Sequence, residues 1–228
     1  MAKKSNQEDI LVDVDELYTK SEKFVDENKK QLTLGLGAVA VAILAVIGYT
    51  SLVVAPANEA AEEASFMAEH YFAKDSTDLA TYGDGLSAGL EEVLMEHAGT
   101  PAAARAAYQL GIMHRDAARF DEAIEAFEQA GFGDDVFGPL VEANIGDCLV
   151  ELGDLEAAEG HFASASSRAA SGLAAKALAP MCAYKQALVL LELGDEAKAR
   201  RVLNDLAESF PNSTYTSNAT GLAASLAP

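Results

Sequence analysis

Residues Leu32–Val54 constrain this chain more than any other feature. They form 23 consecutive positions without a charged side chain, in a sequence whose formal net charge is −20. As an α-helix the run is about 34 Å long, enough to cross a hydrocarbon core of about 30 Å. A water-soluble fold rarely leaves so large an apolar surface open to solvent. The run divides the chain into a tail of residues 1–31, a membrane helix of residues 32–54 and a domain of residues 58–228. The tail holds Lys3, Lys4, Lys20, Lys23, Lys29 and Lys30, whereas the first basic residue beyond the run is Lys74, preceded by Glu59, Glu62 and Glu63. Cytoplasmic flanks carry the lysine and arginine excess, so the expectation is a single-pass membrane protein with its N-terminus inside and its large domain outside. Tyr49 falls at the outer interface, where amphipathic rings are favoured. Pro56 is expected to end the apolar helix.

A cleaved signal peptide is the rival reading, because Ala55-Pro56-Ala57 spaces small residues as a cleavage site would. Signal cores run roughly 7–15 residues behind a short basic segment, and both the apolar run and the tail before it are too long. An uncleaved anchor is therefore expected. Ala38 and Ala42 could support helix contact within the membrane, although such pairs recur by chance in an alanine- and glycine-rich span.

The large domain holds 28 Asp and Glu against 10 Lys and Arg. A phosphate backbone would be repelled by that surface, and no basic stripe offsets it, so nucleic acid is excluded as a partner. Abundant alanine, sparse aromatics and the absence of tryptophan suit close-packed helices, and the expected class is all-α. Cys148 and Cys182 fall inside expected helices at different heights and read as buried free thiols.

Self-similarity then organises the domain. Gly111, Gly146 and Ala187 are each followed 12 positions later by alanine (Ala123, Ala158, Ala199), and four further on by a large apolar residue (Phe127, Phe162, Leu203). Small residues let the two helices of a hairpin approach, and large ones fill the gap between hairpins. A period near 34 residues with this pattern is that of tetratricopeptide repeats. The steps here are 35 and 41 residues, so about six extra residues are expected within 166–179. The expected repeats cover about 101–135, 138–171 and 179–211, a solenoid of helical hairpins.

The punctuation agrees. Gly153-Asp154 and Gly194-Asp195 place a glycine after one helix and an N-cap aspartate before the next. Thr100-Pro101, Gly138-Pro139 and Ala179-Pro180 put proline in the first turn of each hairpin's first helix. Before the repeats, a helix over 58–74, with Ala64, Met67, Ala68, Tyr71 and Phe72 on one face, and another over 86–97 suggest a degenerate hairpin spanning 58–98 with a long internal loop. Residues 214–226 form a weak helix in a C-terminal cap of 212–228, needed to cover the last apolar face. In the tail, Ile10, Val14, Leu17, Tyr18, Phe24 and Val25 recur at helical spacing. That amphipathic helix either runs straight into the anchor or serves as a cytoplasmic docking helix.

No catalytic constellation is present. His70, His97, His114 and His161 form no i, i+4 pair, and there is no CxxC, HExxH, GxSxG or phosphate-cradling loop. The Gly131-Phe-Gly133-Asp134-Asp135 stretch offers too few alternating oxygens for calcium. No metal, cofactor or enzymatic activity is expected. Such an array binds proteins, along the concave face lined by successive first helices. The register places Arg105, Tyr108, Ile112 and Arg115 on that face from the first repeat. The second supplies Leu140, Ala143, Asp147, Val150 and Glu151, and the third Met181, Tyr184, Leu188, Leu191 and Glu192. This groove is apolar with an acidic end and suits an extended or helical peptide, unless the cap folds back and fills part of it.

Residues 21–30 (SEKFVDENKK) before the anchor, Ala68-Glu-His-Tyr71-Phe72, Gly83-Asp84-Gly85, Asn144-Ile-Gly-Asp147 and Phe210-Pro-Asn-Ser213, taken in that order, resemble the bacterial inner-membrane tetratricopeptide proteins of the YfgM type, in the version found in Bacteroidota. The resemblance covers nearly the whole chain. It implies an accessory subunit of the Sec translocon. The implied partners are translocon subunits, a membrane-anchored periplasmic chaperone of the prolyl-isomerase type, and nascent exported chains. The alternative is a structural scaffold for another envelope assembly, in outer-membrane biogenesis or the divisome.

Overall fold

The computed structural model describes residues 14–226 and is helical throughout, with no strand among the described residues. It divides into two units, one ending at Pro56 and one beginning at Ala57. The first contains α1 (Val14–Tyr49) and a π-helical turn over Thr50–Val54. Of the tail's amphipathic stripe, Ile10 lies outside the described residues, while Phe24 and Val25 are exposed on α1. Among the described residues one helical run is long and apolar enough to cross a membrane, and none of its most apolar window is buried within the fold.

Pro56 does not end the helix, contrary to expectation. It is the second residue of α2 (Ala55–Phe72). Proline lacks the N–H that would bond four residues back. The backbone widens just before it, where the Ala55 N–H reaches the Thr50 carbonyl five residues back, so the turn shifts register around the missing donor.

The second unit continues through α3 (Thr77–Tyr82), α4 (Leu90–Glu96), α5 (Pro101–Asp116), α6 (Phe120–Ala130), α7 (Phe137–Leu152), α8 (Leu155–Ala170), α9 (Ala175–Glu192), α10 (Glu196–Ser209) and α11 (Thr216–Ser225). From α4 onward each helix packs on the next in sequence. Short turns between partners make them antiparallel hairpins. Gly111 faces the Phe127 ring, where an added Cβ would lie 2.6 Å from ring carbons, and Gly146 faces Phe162 at 2.9 Å. A methyl group at either position would overlap the ring, which is why the small residues stand there. Phe127 then meets Val141, Ile145 and Cys148 of α7, and Phe162 meets Cys182 and Val189 of α9, so each ring joins two hairpins. In the last hairpin Ala187 and Leu203 pack with Ala219 and Ala223 of α11, which closes that end of the array.

Three boundaries differ from expectation. The helix expected over 86–97 starts at Leu90, and the loop before it contains α3. Asp84 accepts hydrogen bonds from the Leu86 and Ser87 N–H groups at 2.9 and 2.8 Å, which ties those residues into a turn, and Leu86 is 97% exposed. The six extra residues extend structure and do not form a loop: α8 has 16 residues against 11 in α6, and α9 begins five residues before Pro180. Pro180 is thus inside α9, fully buried, where the alanine-rich start at 175–179 favours helix strongly enough to absorb it. The cysteines are free and buried. Burial pushes both thiols up to about 11, which keeps them protonated and unreactive.

The turn inside each hairpin repeats the same hydrogen bonds. Gly153 and Gly194 sit at φ +81°, and their N–H groups bond the Val150 and Leu191 carbonyls. Asp154 and Asp195 then cap the next helix, accepting from Ala157 and Lys198 N–H at 3.2 and 2.9 Å. In the first hairpin the same left-handed place is taken by Ala118, at φ +57°, bonding Arg115. A Cβ there is strained. Ala118→Gly is expected to raise stability by about 1 kcal/mol, read from the urea midpoint at unchanged slope.

Next to that turn the Arg119 guanidinium donates to His114 Nδ1 at 3.0 Å. Desolvation first, and the Arg119 charge second, hold the imidazole below its ordinary 6.5. The unfolded chain therefore takes up this proton at higher pH than the fold does. The stability tied to neutral His114 is complete above 6.5 and is lost as pH falls through the lower folded value. Urea titrations between pH 7 and 5 should show this decline, and His114→Gln, which keeps an acceptor for Arg119 without titrating, should flatten it.

Candidate functional site

Successive first helices are bolted together by one basic side chain at each junction. Between α2 and α5, Arg105 donates to Glu62 at 2.6 Å and Glu69 at 3.1 Å. Between α5 and α7, Arg115 donates to the Asn144 side-chain carbonyl, and Asn144 in turn donates to the Leu140 carbonyl at 2.7 Å. Between α7 and α9, Lys185 reaches both Asp147 oxygens at 2.7 and 2.6 Å. Its ammonium also lies 5.6 Å from the centre of the Phe162 ring, within cation–π range. The Arg105, Glu69, Asp147 and Lys185 side chains are about one-third exposed, so these ion pairs contribute modestly to stability while fixing the lateral spacing of the helices.

Above this floor opens a cavity of about 510 Å³, lined by Arg115 from α5, Phe120 from α6, Asp147, Val150 and Glu151 from α7, Phe162 from α8, and Lys185, Leu188, Val189 and Glu192 from α9. The volume is that of an ordinary ligand pocket. Leu188, one of its lining residues, is a large apolar side chain left 39% exposed. No α11 residue lines the cavity; the cap packs on the last hairpin, where its Tyr215 covers Tyr184, one of the residues expected in the groove.

The structure brings Arg115, Asp147, Val150 and Leu188 together, with Glu151 and Glu192 at the acidic end. The other residues expected in the groove lie elsewhere. Ala143 is 2% exposed and packs in the interior with Phe162, so it offers no surface. Met181 packs against the same core. Tyr108 joins an aromatic cluster with Phe127, Phe132 and Phe137 at centroid distances of 5.7–6.2 Å. Tyr184 stacks on Tyr215, just before the cap helix, at 5.5 Å. Ile112 belongs to a separate, smaller hollow with Phe72 and Thr77, and Arg105 is taken up by Glu62 and Glu69. Leu140 and Leu191 are half-buried away from the cavity. The helix register predicts a face, but side-chain length and neighbours decide which members of it stay open.

Sequence reasoning missed Phe120, Phe162, Lys185 and Val189. A signal for Lys185 was present: it stands two positions before Ala187, as Asn144 stands before Gly146. A polar residue recurring at one repeat position is a sign of contacts between neighbouring hairpins. Among the described residues no group of three His, Cys, Asp or Glu is placed to hold a metal ion. The arrangement offers an apolar floor and fixed charges.

A family model described as T7SS, ESX-1 secretion system protein EccA1, N-terminal domain, matches residues 16–223. No curated protein matches the chain. The family match corrects the resemblance to YfgM-type proteins, and the Sec accessory role implied by that resemblance falls with it. Every segment that carried the resemblance lies within the matched span. Small-for-close-approach and large-for-gap-filling spacing is demanded by any stack of helical hairpins, so it cannot separate one such family from another. The chain belongs to the family of the EccA1 N-terminal domain.

Proposed function

We propose that this member of the EccA1 N-terminal-domain family is a membrane-anchored, non-enzymatic protein-interaction module whose hairpins form a tetratricopeptide array. Leu32–Val54 anchors it in a bacterial inner membrane, with the lysine-bearing tail in the cytoplasm and the array on the opposite face. The anchor confines the array to the membrane surface and raises its effective concentration near membrane-bound partners. The family's name, that of a secretion-system protein, points to a partner within a secretion assembly.

The observation that carries this reading is the open cavity across α5, α7 and α9. Leu188 and Val150 remain available on a floor made rigid by the Arg115–Asn144 and Asp147–Lys185 contacts. A preorganised apolar surface loses little entropy when a partner settles on it.

Photocrosslinking in cells tests it. A photoreactive residue at Leu188 should trap subunits of a secretion assembly, whereas one at Leu173, fully exposed and away from the cavity, should not. Val150→Glu should erase the Leu188 adducts. Equal adducts from both positions, or adducts indifferent to Val150→Glu, would remove the cavity from the function.

A further inference from the structure

We infer, resting on the groove reading above, that the cavity selects a peptide segment carrying a lysine or arginine beside apolar side chains. The charges around it do not balance. Arg115 is committed to Asn144 and Asp116, and Lys185 to Asp147. Glu151 and Glu192 line the same cavity and have no ion-pair partner among the described residues.

These two glutamates are repeat equivalents. Asp116, Glu151 and Glu192 each stand five positions after Gly111, Gly146 and Ala187. Within this row Asp116 has an internal arginine, while the other two do not. Glu151 and Glu192 also occupy the last turns of α7 and α9, where neither helix carries a basic residue. Carboxylates there add to the negative end of the helix dipole, a placement that costs folding stability. Both effects are relieved together by a cation from outside. The floor below the glutamates is Val150, Leu188 and Val189, which sets the second requirement, an apolar side chain next to the cation. An acidic peptide would meet repulsion from the rim and from the domain's overall negative charge.

The test uses the full-length chain in detergent micelles and fluorescently labelled peptides of Leu-Lys-Leu-Ala repeats, with Leu-Gln-Leu-Ala and Leu-Glu-Leu-Ala counterparts, read by anisotropy. The lysine peptide should bind about fivefold more tightly than the glutamine peptide, with the glutamate peptide weakest. That advantage should shrink with added salt and disappear in the E151Q/E192Q double variant. Leu188→Glu should abolish binding of the lysine and glutamine peptides alike. Thermal unfolding of the double variant at a temperature equal to or above that of the parent shows that folding is not what was lost. Lysine and glutamine peptides binding equally, both lost in Leu188→Glu, would overturn charge selection and leave the groove reading standing. Binding that persists in Leu188→Glu, or no binding by any peptide, would overturn both.

Discussion

Phe162→Ala is expected to destabilise the array by about 3–5 kcal/mol, the usual loss when a fully buried aromatic ring is removed. The ring is 1% exposed and packs against two neighbouring helices: Gly146 lies against its edge from α7, and Cys182 and Val189 pack from α9. Neighbours held by the Asp147–Lys185 contact have little freedom to collapse into the void, so the loss should fall in the upper part of that range. Gly146→Ala is expected to cost about 1–3 kcal/mol through the opposite fault, a methyl group forced into the ring. Combining the two should recover part of the loss, because the methyl then enters space the ring has left. Urea unfolding of the four proteins gives the coupling energy directly. Strict additivity would mean that the glycine and the ring do not share the contact seen here. Phe162→Ala should also weaken peptide capture, since the ring lines the cavity and lies beside the Lys185 ammonium.

Deletion of Leu32–Val54 is expected to move the protein completely from the membrane fraction to the soluble fraction. Each leucine, isoleucine or valine in that run favours insertion by about 0.3–0.6 kcal/mol at the membrane centre, and the run contains many and no charge. A gentler variant, Leu44→Arg, opposes insertion by about 2.5–3.5 kcal/mol and should reduce membrane retention only in part. Carbonate extraction followed by immunodetection measures both. The compact unit beginning at Ala57 carries its own cores, so the deleted protein should keep the helical circular-dichroism signal expected of it. A deleted protein that stays in the membrane would show that another segment holds it there.

Much of the architecture was legible in the residues because it depends on local rules. An uncharged run longer than a bilayer, glycine then aspartate at a hairpin turn, and a small residue 16 positions before a large one each state their own physical requirement. Where local rules compete, the reading failed. Pro56 and Pro180 both signal helix boundaries, yet both lie inside helices, because a widened turn or an alanine-rich lead-in accommodates a single missing donor. The site was legible only in part for a related reason. Register assigns Ala143, Tyr108 and Tyr184 to the groove face, but Ala143 is too short to emerge from the interior, and the two tyrosines find rings to pack against.

By itself, then, the sequence determined that the chain is helical, that it carries one membrane-compatible helix, and that three paired-helix units follow one another in a single register. Those properties arise from periodicity and composition, which act within about one repeat. Only the tertiary structure decided that Arg115 meets Asn144, that Lys185 meets Asp147, and that Glu151 and Glu192 line an apolar cavity with no ion-pair partner among the described residues. Those outcomes depend on how far neighbouring helices are offset and rotated, which is set by the packing of Phe127 and Phe162 between hairpins and is written in no single segment of the chain.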